Sequence, residues 1–340
     1  MKGRQIILDH LGGQEAAALM VDGRLDDLLI GNEAPRPGAI YRAKADRPVK
    51  GMGGMFLSTP DGAAFVRQVR GISPGQPILV QVTGHAEPGK AIPVTAKILF
   101  KSRYAIVTPD APGVNISRRI RDDELRDTLL VIAHEVMGKS DMGLILRSSC
   151  AQADPDEIAE DIAAMTDLAC AVTADLPGEP ELLVAGDGAH ALAWRDWSDP
   201  AAVIDAPGSF ETHGALDAIE ALRDAHAPLP GKASIYVEAT RALVAVDVNT
   251  GPDTSLAAGL KANIAAAREL PRQLRLRGLG GQITMDLAPM PKKERRVFED
   301  TLRAAFRADA IETTLAGWTP LGHYELQRQR QRQPLWEILS

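Results

Sequence analysis

Residues 241–251 read RALVAVDVNTG and residues 282–287 read QITMDL, and each stretch is an apolar run that carries a carboxylate near its end. We predict a strand in both. Because side chains alternate along a strand, Asp247 and Asn249 project from the same face of the first one. If the strand that ends at Asp286 lies beside it, the three side chains form an oxygen-rich cluster of the kind that Mg²⁺ accepts while keeping several waters. Open α/β sheets place their sites at such strand ends.

The letters from Asp247 to Gly251 also allow a simpler interpretation. Asp, Asn and Gly favour turns for backbone reasons of their own, so DVNTG could be only a turn after a buried strand. The pattern alone leaves both interpretations open. The histidines and cysteines offer no competing metal site, because no H-x-x-x-H or C-x-x-C spacing occurs. No G-x-x-x-x-G-K-[ST] loop is present either, which gives a nucleoside triphosphatase little support.

The last third of the chain alternates strands and helices around these two segments. We predict strands at 234–239, 242–248 and 282–287, and helices at about 255–277 and 291–307. This β-α-β-α order indicates a sheet with helices on its faces.

Earlier regions show other patterns. Short strands fill residues 4–30, and a region dense in Gly and Pro turns follows. Five short β-rich pieces between those turns suggest a small barrel, of which the OB-fold is the commonest that binds nucleic acid. Further on, Asp122 and Asp154-Pro155 each precede an apolar periodic stretch and are predicted to begin helices.

Composition bounds the size and the partners of the protein. At 340 residues the chain exceeds the size that one core serves, so we predict two or more subdomains. The net charge of −7 argues against a non-specific nucleic-acid binder, yet residues 268–307 hold ten Lys or Arg against five Asp or Glu. Arg118 and Arg119 form a second basic group, which we expect to contact nucleic-acid phosphates. With no signal-peptide pattern and no apolar run of about 18 residues, we expect a cytoplasmic protein without a membrane segment.

Longer motifs make the chain similar to a known family. The stretch from Ala242 to Met290, with VAVDVNTG, Asn263 and RQLRLRGLGGQITMDLAPM, resembles the catalytic core of the ribonuclease E/G family. Other matching segments are GAIYRAK (38–44), ILVQVT (78–83), RYAIVTP and ISRRI (within 103–120), GLILRSS (143–149) and GHYELQRQR (322–330). Together they span most of the chain.

The resemblance implies an α+β protein of several subdomains. Residues 1–35 and 176–226 would form an RNase H-like part. An OB-fold RNA-binding domain at 36–90 and a 5′-sensor segment at 91–175 would be inserted in it. A DNase I-like α/β nuclease subdomain would occupy residues 227–340.

The same resemblance implies a magnesium-dependent endoribonuclease that acts on single-stranded RNA in RNA processing or decay. Asp247 and Asp286 would bind the ion, and Asn249 would orient one of the carboxylates or the scissile phosphate. A water attacks phosphorus in this chemistry and leaves a 5′-phosphate, a role that suits a divalent ion because it lowers the pKa of its water.

The resemblance also implies binding residues. Arg147 and Ser148 match the place where the family grips a 5′-monophosphate, and arginine presents a planar fork to phosphate. Phe56, Phe65 and Lys90 match the barrel's pocket, where a ring would stack on a base and an ammonium would meet phosphate.

The family's C-x-x-C zinc link is absent from this chain, which ends at Ser340. We therefore expect any homo-oligomer to form without zinc. Two further classes stay open: an RNA-binding protein of the same fold with weak or no cleavage, and an unrelated α/β hydrolase that uses the same carboxylates. If Asp247 and Asp286 face different sides of the sheet, the catalytic interpretation fails.

Overall fold

The computed structural model describes residues 3–32, 35–49, 53–69, 71–87 and 89–339. It divides into two compact units. The first, unit 1, comprises Met1–Ile30 with Ala202–Ser340, and the second, unit 2, comprises Gly31–Ala201. Unit 2 is thus inserted in the sequence of unit 1.

Unit 1 begins with three antiparallel strands, β1 (Arg4–Leu11), β2 (Gln14–Val21) and β3 (Arg24–Ile30). The turn between β2 and β3 has positive φ at both Asp22 and Gly23, the backbone that suits the twist of a tight hairpin. These strands agree with the short strands predicted for residues 4–30.

Unit 2 begins with a closed five-stranded barrel. Its strands are β4 (Ile40–Val49), β5 (Gly54–Thr59), β6 (Gly62–Arg67), β7 (Pro77–Val82) and β8 (Ile92–Thr95). Strand β4 pairs with both β5 and β7, and β8 pairs with both β6 and β7, so the ring closes. The predicted barrel is confirmed. Strand β8, which supplies the closing pairs, lies beyond residue 90, where the sequence analysis ended this domain.

A second layer of unit 2 follows the barrel. Its elements are β9 (Phe100–Lys101), β10 (Ala105–Thr108), β11 (Gly113–Ile116), α1 (Asp123–Met137), β12 (Gly143–Leu146) and α2 (Pro155–Ala174). Both predicted helix starts are confirmed. The Asp122 carboxylate accepts from the Leu125 amide at 2.9 Å, and that of Asp154 accepts from the Asp156 amide at 2.9 Å.

Unit 2 ends with β13 (Glu181–Val184) and α3 (Ala189–Asp196). Strand β13 pairs with β4 at the side of the barrel. The buried Arg42 fixes the segment before it, because its guanidinium donates to the carbonyls of Asp175 at 2.9 Å and Glu179 at 2.8 Å. Residues up to 201 thus belong to unit 2, whereas the sequence analysis assigned residues 176–226 to a part formed with residues 1–35.

Unit 1 resumes with β14 (Ala202–Ile204), α4 (Ser209–Thr212) and α5 (Ala215–Glu220). Strand β14 lies parallel to β1, giving a sheet of order β14-β1-β2-β3. The Phe210 amide donates to the Asp9 carboxylate at 2.9 Å, which joins α4 to β1. The RNase H-like assignment of this part stays a prediction.

The rest of unit 1 is a six-stranded sheet with helices. In chain order its elements are β15 (His226–Pro228), β16 (Ser234–Ala239), β17 (Val244–Asn249), α6 (Leu256–Leu276), β18 (Gly281–Asp286), α7 (Arg295–Ala308), β19 (Thr313–Trp318), β20 (Tyr324–Arg328) and α8 (Leu335–Ile338). The strand order is β15-β16-β17-β18-β20-β19, and β17 and β18 run parallel. The DNase I-like assignment stays a prediction.

One face of this sheet packs on α6 and α7. Val246 on β17 and Met285 on β18 are buried there with Leu270 of α6 and Phe298 of α7. The alternate side chains point to the opposite side, which we call the open face of the sheet. Among the described residues, no helix is long and apolar enough to cross a membrane.

Candidate active site

Asp247 and Asp286 are direct register partners on the parallel strands β17 and β18. The valines on either side of Asp247 are buried and Asp247 is exposed, and on β18 Met285 is buried while Asp286 is exposed. Both carboxylates therefore lie on the open face, on strands about 4.8 Å apart. The catalytic interpretation required both carboxylates to face the same side of the sheet, and they do.

Asn249 is on the same face as Asp247 and contacts it. Its side-chain amide donates to Asp247 Oδ2 at 2.8 Å, so one carboxylate oxygen is held and the other is left for a further partner. The segment is thus not merely a turn, since residues 244–249 form a strand that ends in this hydrogen-bonded pair.

Helix α6 contacts the loop that follows Asp286 and holds it in place. The fully buried Asn263 donates to the Ala288 carbonyl at 2.8 Å and accepts from the Ala288 amide at 3.0 Å. Gly259, one turn earlier, lets the helix approach closely, because a Cβ there would lie 2.1 Å from the Pro289 carbonyl oxygen. These contacts hold the end of β18 in place.

His323 also reaches the site, although the sequence analysis did not identify it. Its Nε2 lies 3.7 Å from Asp286 Oδ1. The residue directly precedes β20, whose Tyr324 pairs with Met285. Only the antiparallel pairing of β20 with β18 brings His323 to Asp286, and the sequence pattern of one strand does not predict that pairing.

The donor set fits magnesium better than a metal that needs a full protein cage. Asp286 is 72% exposed in its side chain, so a cation held there would keep most of its waters, as Mg²⁺ does. Within the described parts of the chain, no three His, Cys, Asp or Glu residues are grouped so as to hold a metal on their own. The pair Asp247 and Asp286 would thus supply carboxylates to a largely hydrated ion.

The open face carries further negative charge beside this pair. Glu238 and Glu325 lie in the next row of the sheet, aligned with each other through Ala245 and Thr284. A polyanion that approaches this face meets four carboxylates.

The barrel brings two of its three predicted residues together. Phe56 and Phe65 are register partners with ring centroids 5.2 Å apart, and Arg47 lies over the Phe56 ring at 5.3 Å. Lys90 instead donates to Glu87 at 2.8 Å. Arg47, which the sequence analysis did not select, is therefore the cation found against this aromatic pair.

The other predicted binding residues lie in the second layer of unit 2. Arg118 and Arg119 are exposed in a turn before α1. Arg147 follows β12 and Ser148 begins a short 3-10 helix. The Arg147 guanidinium donates to the Ser102 carbonyl at 2.5 Å and to Asp196 Oδ1 at 2.8 Å. The Asp196 carboxylate therefore occupies one edge of the guanidinium that was predicted to bind a phosphate.

Comparison with known proteins agrees with these features. A family model described as "Ribonuclease E/G family" matches residues 100–203 and 202–331. The chain is 27% identical to ribonuclease E of Synechocystis sp. over 384 residues, which cover 96% of this chain and 57% of the relative. It is 25% identical to ribonuclease G of Salmonella typhimurium over 403 residues, covering 98% and 81%. The chain thus spans little more than half the length of the cyanobacterial relative.

Proposed function

The chain belongs to the ribonuclease E/G family, and we propose that it is an endoribonuclease that hydrolyses single-stranded RNA at Asp247 and Asp286. The observation that carries this proposal is their pairing in register on the open face. Exposed carboxylates on neighbouring parallel strands can share one cation, and that cation would in turn bind the phosphate. RNA processing or decay is the corresponding cellular role.

In the proposed reaction, water attacks phosphorus, the bond to the 3′-oxygen breaks, and the products carry a 3′-hydroxyl and a 5′-phosphate. Bound Mg²⁺ would supply a water of lowered pKa and would neutralise charge on the phosphoryl oxygens. Asp247 and Asp286 would hold the ion. Asn249 donates to Asp247 Oδ2, so the other oxygen of this carboxylate would be the one offered to the ion.

The charge of the open face supports a requirement for a cation. RNA and the carboxylates of Asp247, Asp286, Glu238 and Glu325 repel one another, and Coulomb repulsion between near charges is large where water is partly excluded. A divalent cation at the pair would neutralise the charge of Asp247 and Asp286 and so weaken this repulsion. Binding without it would depend on basic and aromatic groups elsewhere.

We assign those supporting contacts to unit 2. Phe56 and Phe65 form a half-buried ring pair with Arg47 over the Phe56 ring, a combination that suits base stacking and phosphate contact. Arg118 and Arg119 would add phosphate contacts. Arg147 and Ser148 would bind the 5′-monophosphate of the RNA.

An assay on 5′-labelled single-stranded RNA, with Mg²⁺ and with excess chelator, tests the proposal. We expect cleavage with Mg²⁺ only, and we expect Asp247→Asn to lower turnover by about a thousandfold or more, since the ion contributes several kcal/mol to the transition state. RNA affinity should stay within a few-fold. Asp300→Asn, which changes an exposed carboxylate on α7, is the matched control and should cleave normally.

The alternatives predict other results. RNA binding with no Mg²⁺-dependent cleavage would identify a non-catalytic RNA-binding protein. Unchanged turnover in Asp247→Asn would reject the carboxylate site, and absence of RNA binding would favour a hydrolase with another substrate.

A further inference from the structure

A row of side chains crosses the open face through the carboxylate pair. His226 on β15 pairs with Tyr236 on β16, Tyr236 pairs with Asp247, and Asp247 pairs with Asp286. His323 continues the row on the far side of Asp286. The carboxylates are therefore bordered by an aromatic pair on one side and by a histidine on the other.

The aromatic pair is a fixed and accessible surface. The His226 and Tyr236 ring centroids are 5.2 Å apart with an angle of 61° between the planes, an edge-to-face contact that fixes the tyrosine ring. Tyr236 is 39% exposed. It sits on the strand next to Asp247, about 4.8 Å away by strand spacing.

The chemistry of this surface selects a nucleobase rather than a phosphate. Neither ring brings the fixed cation that a phosphate needs, and the acidic groups of the same face oppose a second anion. A tyrosine face can stack on any base. The Phe56 and Phe65 rings of the barrel show the same spacing, 5.2 Å with a 56° angle, which is the arrangement already assigned to base stacking there.

We propose that His226 and Tyr236 form a stacking platform that holds the nucleobase flanking the scissile phosphate of the RNA substrate. This inference rests on the proposed function, because it takes RNA to lie at Asp247 and Asp286. Tyr236 stacks on the base, and His226 is a positioning residue that braces the tyrosine ring. The platform fixes the nucleotide on one side of the phosphate and so aligns the phosphate with the carboxylate pair.

The test combines a protein change with a substrate change. An oligonucleotide with one defined cleavage site is prepared with a single abasic nucleotide at each position in turn, and kcat/KM is measured for the wild type and Tyr236→Ala. On intact RNA we expect Tyr236→Ala to lower kcat/KM about five- to a hundredfold, the loss that one base–aromatic stack gives. At one position next to the cleaved bond, the abasic substrate should already show this loss, and Tyr236→Ala should then add little.

Three variants separate stacking from structure. Tyr236→Phe keeps the ring and should keep kcat/KM, whereas Tyr236→Leu keeps the apolar bulk and should behave as Tyr236→Ala does. Trp336→Ala removes another exposed ring of unit 1, and kcat/KM should not change. Additive losses at every abasic position would overturn the platform and leave Tyr236 as a cross-strand contact of the sheet.

A binding measurement keeps this result independent of catalysis. With the fluorescent base 2-aminopurine placed at each RNA position in turn, one position should be quenched on binding to the wild type and much less on binding to Tyr236→Ala. Quenching in a protein that does not cleave would reject the proposed function while supporting the platform. Cleavage with neither quenching nor coupling would reject the platform alone.

Discussion

Asp286 and Asp309 belong to the same unit and have opposite surroundings. The Asp286 side chain is 72% exposed, and the His323 imidazole lies 3.7 Å from its Oδ1. The Asp309 side chain is fully buried between Arg275 and Arg328, with Arg328 Nη2 at 2.7 Å from its Oδ2. One carboxylate is left available to a cation from solution, whereas the other is neutralised by the chain itself.

The buried arginines extend this difference into a network. Arg275 also lies 3.5 Å from Asp27 on β3, and Arg332 donates to Asp27 Oδ2 at 3.0 Å. These pairs join the N-terminal strands to α6 and to the residues after β20. Charges that hold the fold are therefore paired inside it, and the carboxylates to which we assign the chemistry lie on the open face. Stability and activity should respond to different aspartates.

Replacing the buried carboxylate should give the largest loss of stability. Asp309→Ala leaves Arg328, which is fully buried, without its ion-pair partner, and breaking such a pair costs about 3–5 kcal/mol of unfolding free energy. Asp286→Ala should change it by about 0.5 kcal/mol or less, as exposed substitutions do. Urea unfolding of both variants measures the two values. Equal losses would mean that exposure does not separate the roles of the two carboxylates.

Local pattern was enough to predict much of this fold. Alternation in residues 241–251 and 282–287 located β17 and β18 and put Asp247 and Asn249 on the same face of their strand. Side-chain caps located the starts of α1 and α2, because a cap acts within three residues of its helix. Turn density predicted the barrel. Each of these signals is contained in a short stretch of chain.

Features that depend on distant pairing could not be predicted in this way. Strand β13 joins β4 through contacts between segments about 140 residues apart, including the hydrogen bonds of Arg42. The row that contains Tyr236 and His323 depends on the register between strands, which alternation within one strand does not specify. The ion pairs of Asp309 could not be predicted for the same reason. Nothing in the local sequence of an aspartate and an arginine on separate elements indicates that the two are in contact.

The ion pair of Arg147 and Asp196 is less exposed than Asp286 and less buried than Asp309. Replacing either partner should therefore have an effect of intermediate size. Arg147 is 24% and Asp196 is 42% exposed in the side chain. Burial alone would raise the pKa of Asp196, but Arg195 and Arg147 outweigh it and hold that pKa below its ordinary value. Asp196 is thus an anion in the place where the proposal puts an RNA 5′-phosphate.

We therefore expect opposite effects from the two partners. Arg147→Ala should remove the preference for 5′-monophosphate over 5′-hydroxyl RNA, a change of about ten- to a hundredfold, because a hydrogen bond to a charged group contributes roughly 1.5–3 kcal/mol. Asp196→Asn should increase the preference by removing the competing anion. Rates on the two RNA ends measure both, with exposed Lys139→Ala as the control. Equal rates on both ends in the wild type would reject the sensor role.

The pH should act on the stability of the fold through Asp27. Burial raises the pKa of this carboxyl, but the charges of Arg332 and Arg275 outweigh burial and hold the pKa below its ordinary value. Its ionised form therefore stabilises the fold at pH values above that ordinary value of about 3.9, and the stabilisation is lost as the pH falls through the lowered pKa of the folded state. Urea midpoints at pH 7, 5, 4 and 3 should show Asp27→Asn well below the wild type at neutral pH, with the gap closing under acid conditions. Asp300→Asn breaks an exposed pair with Arg303, so its gap should be small at every pH. A gap for Asp27→Asn that stays constant down to pH 3 would show that this carboxylate does not contribute through its charge, and the contrast between the buried network and the open face would then lie in packing.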